Sequence, residues 1–227
     1  MTDAVPQAKT RSVPAKPASI RLDDEITRAG QHRSMRRADR EVFDPAQIRE
    51  ILDACDIVRI AYQDAEGLSI VPVNFGYAYV PQPSATTSPG AASDSASEPA
   101  SDSTPAQAGL TLFMHSALHG RKIDAIRAAG NALDVAFEME CDCELIEGRT
   151  ACNWSESFTS IIGTGKASVV EDPARAGEAL AALMGKQAHM PNIHFTERQL
   201  ATVTVWQVEA DYFTAKHHPK PAPRHHM

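Results

Sequence analysis

Between two stretches of strand-like pattern lies a run, residues 81–108, that contains no aromatic residue and no lysine or arginine. It opens with Pro81-Gln82-Pro83-Ser84 and continues in Ser, Ala, Pro, Thr, Asp and Glu. Such a tract buries too little apolar surface to offset backbone ordering, roughly 1–2 kcal/mol per residue. It is expected to be disordered. Its flanks constrain the fold. Ile57 to Tyr62 reads as a strand, Asp64-Ala65-Glu66-Gly67 as its turn, Leu68 to Tyr79 as the returning strand, and Leu110 to His115 as the next one. Closing a loop costs only about 0.6 kcal/mol more for each doubling of its length. Strands on either side of the tract can therefore pair across it, and the tract interrupts one domain instead of dividing two.

The remaining pattern agrees with a β-rich domain. Asp44-Pro45 is an N-cap followed by proline at the first helical position, and Ile48, Ile51 and Leu52 recur at helical spacing, so a helix is expected over 45–54. Arg121 to Ala129 reads as a second helix, and Asp172-Pro173 caps a third that reaches Gln187. Strands are expected at Leu133–Met139, Thr150–Trp154, Phe158–Val170 and Leu200–Glu209, with a bulge or bend at Gly163-Thr164-Gly165. Helices are too few for a doubly wound sheet and no βαβ repeat occurs. The pattern predicts an α+β fold that is mainly β: a small antiparallel barrel with helices at its rim. Residues 1–33 read as a disordered arm, 34–216 as the folded domain with its insertion at 81–108, and 217–227 as a flexible tail.

In a chain of 227 residues, 22 Lys+Arg stand against 29 Asp+Glu, a net charge of −7 that argues against general nucleic-acid binding. No apolar run approaches the roughly 20 residues needed to cross a bilayer, and residues 1–19 lack the apolar stretch of a secretory signal. Four unevenly spaced cysteines do not make a disulfide scaffold. The expected compartment is the cytoplasm, with no membrane partner.

Chemistry concentrates in Phe113-Met114-His115-Ser116-Ala117-Leu118-His119-Gly120-Arg121-Lys122-Ile123-Asp124. An apolar strand ends at a polar corner, and a helix then begins with a glycine and two cations. Free N–H groups at a helix start and adjacent cations can neutralise a phosphate. Taken alone, Arg121-Lys122 is most often a solvated helix face. Gly163-Thr164-Gly165-Lys166 is not a Walker loop, because Ser160 and Ala167 occupy positions that need Gly and Ser/Thr. Cys141-x-Cys143 has poor spacing for zinc, so no metal site is assigned. Ser116 and His115 are neighbours on a strand and point to opposite faces, which disfavours a nucleophile–base pair.

The ordered set Met35-Arg36-Arg37, Val71-Pro72-Val73-Asn74-Phe75-Gly76-Tyr77, Phe113 to Ala117, Gly120 to Asp124, Ala151-Cys152-Asn153-Trp154 and Ser160 to Gly165 resembles the nitroimidazole-resistance branch of the pyridoxamine-phosphate-oxidase-like flavoproteins. The resemblance covers about residues 34–80 and 110–216. It implies an antiparallel six-stranded split β-barrel, homodimeric, with FMN in clefts at the subunit interface. Pro72, Val73 and Asn74 would line the ring edge, His115 and Ser116 the ring and ribityl chain, and Arg121 and Lys122 the phosphate. Trp154, Phe158 and Ser160 would approach from the partner subunit or the cleft wall. The implied activity is an FMN-dependent oxidoreductase that takes electrons from NAD(P)H and reduces a small aromatic or nitroheterocyclic acceptor, His115 serving as the catalytic proton or hydrogen-bond donor. The alternatives are a haem-binding or haem-handling protein on the same barrel, with a histidine as axial ligand, and a non-catalytic flavin-binding module.

Overall fold

The computed structural model describes residues 35–81, 109–190 and 192–221. The expected disorder of 1–33 and 81–108, and most of the flexible tail, lie outside the described residues. Helix α1 (Pro45–Ala54) forms as its sequence predicts: the Asp44 carboxylate accepts the Ala46 N–H at 3.1 Å, and Ile48, Ile51 and Leu52 are buried. Two further long helices follow, α2 (Arg121–Ala128) and α3 (Pro173–Ala188), the latter capped by Asp172. A short α4 (Glu197–Leu200) carries a capping box between Thr196 and Gln199.

The strands are β1 (Glu41–Val42), β2 (Ile57–Asp64), β3 (Gly67–Asn74), β4 (Gly76–Tyr79), β5 (Leu110–Ser116), β6 (Leu133–Ile146), β7 (Ser155–Val169) and β8 (Thr204–His218). All their pairings are antiparallel, in the order β3-β2-β6-β7-β8-β5-β4, with β1 added beside β8. β3 and β4 are the two ends of this seven-strand path, yet Phe75 alone separates them in sequence. Two residues of chain span only about 7 Å, so the sheet must roll until its ends meet at that corner. The result is a split barrel. Tyr79 pairs with Leu110, and the Val80 N–H bonds to the Gly109 carbonyl at 2.9 Å, so the strands on either side of the 81–108 tract pair as expected.

Three details differ from the sequence reading. Among the described residues there are eight strands, because the expected Leu68–Tyr79 strand breaks at Phe75, which is fully buried, and β1 pairs beside β8. Thr150–Trp154 is not a strand: Ala151–Asn153 forms a 3-10 turn, held by the Thr150 hydroxyl bonding to the Asn153 side-chain oxygen at 2.6 Å. The last strand begins at Thr204 and runs on to His218, so His217 and His218 belong to the sheet rather than to a loose tail.

The core lies inside the barrel. Ile60, Phe137, Met139, Ile161, Trp206, Val208 and Phe213 fill it from the strands, and α1 and α2 close it with Ile48, Leu52, Ile123 and Ile126. A Cβ on Gly163 would come within 2.4 Å of Phe137 and one on Gly165 within 2.2 Å of the Glu209 carbonyl, so both glycines make room there. The register between β7 and β8 shifts between Thr164 and Gly165, the bulge expected at that place. α3 packs outside the barrel in a second cluster, Ala176, Ala179 and Leu180 against Val205 and Phe113.

Candidate functional site

The β5–α2 corner forms a cavity of about 230 Å³ between the open edge of β3 and the start of α2. Its walls are Tyr62 from β2, Ser69 and Val71 from β3, Ser116 and Ala117 from the end of β5, and His119 to Ile123 around the helix start. Gly120 is the N-cap of α2 at φ 135° and ψ 159°, a conformation essentially restricted to glycine, and no side chain caps the helix. The first helical bond is the Asp124 N–H to the Gly120 carbonyl. The N–H groups of Arg121, Lys122 and Ile123 precede that bond and are left for an external acceptor.

The two cations differ. Lys122 is half-buried in the cavity wall and makes no ion pair with any described residue. Arg121 is already engaged: Nε donates to Asp64 Oδ2 at 2.8 Å, one terminal nitrogen donates to Oδ1 at 2.8 Å, and the same nitrogen reaches the Gly67 carbonyl at 3.1 Å. This fork ties the β2–β3 turn to α2. The Arg121 hydrogen bonds hold the Asp64 carboxyl below the usual range, and Asp64 in turn raises Arg121. The Ser116 hydroxyl accepts the Trp206 indole N–H at 3.0 Å and so anchors the end of β5.

Of the residues singled out in the sequence, Ser116, Arg121 and Lys122 come together in this cavity. His115 does not line it. It is exposed and shares its strand face with Phe113, on the side that α3 covers, while Ser116 faces the opposite way. Pro72 is exposed on β3 and Val73 is partly buried against the core. Asn74 donates to Gln187 Oε1 at 3.1 Å and to the Asp56 carbonyl at 3.4 Å, in the seat of α3. Trp154 is 47% exposed before β7. Phe158 stacks edge-on with His218 and lies under the Lys216 ammonium at 4.9 Å, and Ser160 is paired across from Lys216. None of these three lines the β5–α2 cavity.

Sequence reasoning missed Tyr62, Ser69, Val71 and His119. The signal was present for two of them: Ser69 and Val71 lie four and two residues before Val73 and share its face of the strand. A larger cavity of about 600 Å³ lies elsewhere, between α1, β1, β6 and β8. Its lining includes Asp39, Glu41, Glu50 and Asp142 against Arg40 and His217, the wrong balance of charge for a phosphate. Among the described residues no group of His, Cys, Asp or Glu is arranged to hold a metal ion, and no helix is long and apolar enough to cross a membrane.

The described residues thus form an α+β protein, a split antiparallel barrel with an uncapped helix start beside the β5–α2 cavity. The sequence profile of the pyridoxamine 5'-phosphate oxidase family matches residues 44–217, and the chain belongs to that flavin-binding family. Several solved structures share its fold. A protein assigned to 5-nitroimidazole antibiotic resistance from Bacteroides thetaiotaomicron is 23% identical, with a TM-score of 0.51 over 78% of this chain and 85% of its own. The flavocytochrome Anf3 from Azotobacter vinelandii is 14% identical, with a TM-score of 0.56 over 84% and 75% of the two chains. An FAD- and haem-binding protein from Mycobacterium smegmatis is 16% identical, with a TM-score of 0.55 over 81% and 76%. No curated protein matches the chain.

Proposed function

We propose that the chain is an FMN-dependent oxidoreductase whose phosphate seat is the start of α2. The observation that carries this reading is the uncapped, glycine-led helix start with Lys122 in the wall of the same cavity. The fit is specific to one end of the cofactor. A volume of about 230 Å³ falls below the roughly 300–1,000 Å³ of ordinary ligand pockets, so it admits a phosphate and part of a ribityl chain and excludes the ring. Val71 and Val73, on β3, would be the residues left to line the ring.

Bound flavin supplies two-electron chemistry between a nicotinamide donor and a small aromatic or nitroheterocyclic acceptor. The chain's residues do the rest. The three leading N–H groups and Lys122 hold the phosphate, and Arg121 braces the turn that shapes the cavity floor. Tyr62, Val71 and Ile123 keep water from its inner side. His119 lines the cavity and is placed to donate a hydrogen bond at its mouth. His115 takes the role of proton donor only if the acceptor binds on the α3 side of β5.

The same reading makes the protein a homodimer. Trp154, Phe158 and Ser160 contribute to a flavin site only from a second copy, because they stand apart from the cavity of their own chain. Leu68, Ile70 and Ile162 are 83%, 62% and 55% exposed on the sheet, apolar surface suited to burial against that copy. Haem has less support: His115 is exposed, and His217, which lines the larger cavity, is hydrogen-bonded through Nδ1 to Thr159 at 2.9 Å.

The test is the absorption spectrum of the purified protein with FMN, followed by anaerobic addition of NADH or NADPH and then of a nitroheterocycle. Bleaching of the flavin bands by a donor and their return with the acceptor is the expected result. Failure of both donors to bleach bound flavin rejects the oxidoreductase, and a Soret band without flavin bands favours haem.

A further inference from the structure

The larger cavity beside α1 has no part in the flavin reading, and its linings share no residue with the β5–α2 cavity. Its volume of about 600 Å³ lies within the roughly 300–1,000 Å³ of ordinary small-molecule pockets. One face of α1 supplies a wall: Gln47, Glu50, Ile51 and Ala54 recur at helical spacing and all line it. Asp142 on β6, Thr159 on β7 and His217 on β8 bring three neighbouring strands to the same space. Thr159 is only 5% exposed, and its hydroxyl is hydrogen-bonded to His217 Nδ1 at 2.9 Å. That bond fixes the imidazole ring, whose Nε2 has no partner among the described residues. Val42 and Ile51 are buried, and with Ala54 and Pro219 they give the cavity apolar surface as well.

The charge of the lining is one-sided. Asp39 is already held by the Arg37 fork at 2.8 and 2.7 Å. Glu41, Glu50 and Asp142 stand against a single lining cation, Arg40, and make no ion pair with any described residue. Asp142 accepts only the weak Cys141 thiol donor, at 3.6 Å. Burial raises the Glu41 carboxyl above its usual range, a cost that a cation beside it would relieve. Ionised carboxylates only accept hydrogen bonds, and they bond best to charged N–H donors. Among the described residues no group of His, Cys, Asp or Glu is arranged to hold a metal ion, so the fitting cation is an organic one.

We propose that this cavity is a second ligand site, which binds an organic cation: an amine or amidine carried on an apolar ring. The charged nitrogen is held by Glu50 and Asp142 with Glu41 nearby, and the ring rests against Val42, Ile51 and Ala54. The site goes beyond the flavin reading and does not depend on it, so a failure of either leaves the other standing.

The test is isothermal titration calorimetry of the full chain with benzamidine, a phenyl ring carrying an amidinium, and with benzamide, its neutral counterpart. Benzamidine should bind saturably, at one equivalent per chain and at least about tenfold tighter than benzamide. Glu50→Gln removes one carboxylate and should weaken benzamidine about tenfold. Ala54→Leu puts a larger side chain into the wall and should abolish binding. Both positions are exposed on α1, so both variants should keep the circular dichroism of the wild type. No saturable heat, benzamide bound as tightly as benzamidine, or an unchanged benzamidine constant in Glu50→Gln or in Ala54→Leu would overturn the proposal.

Discussion

Gly120→Ala is the sharpest perturbation of the phosphate seat, because the structure separates its causes. A Cβ at Gly120 meets nothing within 4 Å, so no clash arises, but φ is 135°. Residues with a Cβ do not populate that region, and holding one there costs on the order of 1–3 kcal/mol. Gly177 within α3 also has open space around its missing Cβ, but its backbone is helical, so alanine there stabilises by roughly 0.5–1 kcal/mol. The same chemical change should thus act with opposite sign at two equally uncrowded positions. With a urea m-value of about 2 kcal/mol/M, Gly120→Ala lowers the unfolding midpoint by roughly 0.5–1.5 M and Gly177→Ala raises it by a few tenths. Urea denaturation followed by circular dichroism measures both. A Gly120→Ala midpoint equal to wild type would refute the reasoning, since the corner would then not need its glycine geometry.

Other outcomes follow from the same contacts. Lys122→Ala removes the cavity cation that makes no ion pair with any described residue and should weaken FMN roughly 10- to 100-fold, the equivalent of one charge-assisted hydrogen bond, while leaving the unfolding midpoint near wild type; fluorescence titration reads the first and urea the second. Gly76→Ala places a Cβ 2.4 Å from the Leu183 backbone and should destabilise by about 1–3 kcal/mol as α3 is pushed off β4, seen as a lower melting temperature. The Asp64–Arg121 pair gives a pH signature. Because the folded carboxyl sits below its unfolded value of about 3.9, its contribution is full above that value and fades as pH falls through the lower folded one. Acid denaturation of Asp64→Asn should therefore be less steep below pH about 4 than that of wild type, and an identical slope would remove the pair from the account.

Much of the fold was legible because local signals and tertiary demands agree. Asp44-Pro45 and Asp172-Pro173 each mark a helix start that the structure keeps. The tract at 81–108 was read as an interruption because strand patterns stand on both sides, and Tyr79 does pair with Leu110. The break at Phe75 was not legible: the chain there leaves one sheet end for the other, a closure that no local period encodes. Thr150–Trp154 has strand-like neighbours, but the Thr150–Asn153 side-chain bond closes a tight turn instead. In the site, the sequence placed Ser116, Arg121 and Lys122 together, since a strand end and a helix start are local. It did not show that Asp64 occupies Arg121, because that partner lies 57 residues away across the barrel seam. Nor did it show that Asn74 serves the seat of α3.

The central claim is that the start of α2 holds the phosphate of the cofactor. FMN and riboflavin differ only in that phosphate, so parallel fluorescence titrations of the same protein with the two test it directly. The structure predicts FMN binding at least tenfold tighter than riboflavin, with the difference shrinking in Lys122→Ala. Equal affinities for the two, or a preference untouched by Lys122→Ala and Gly120→Ala together, would contradict it.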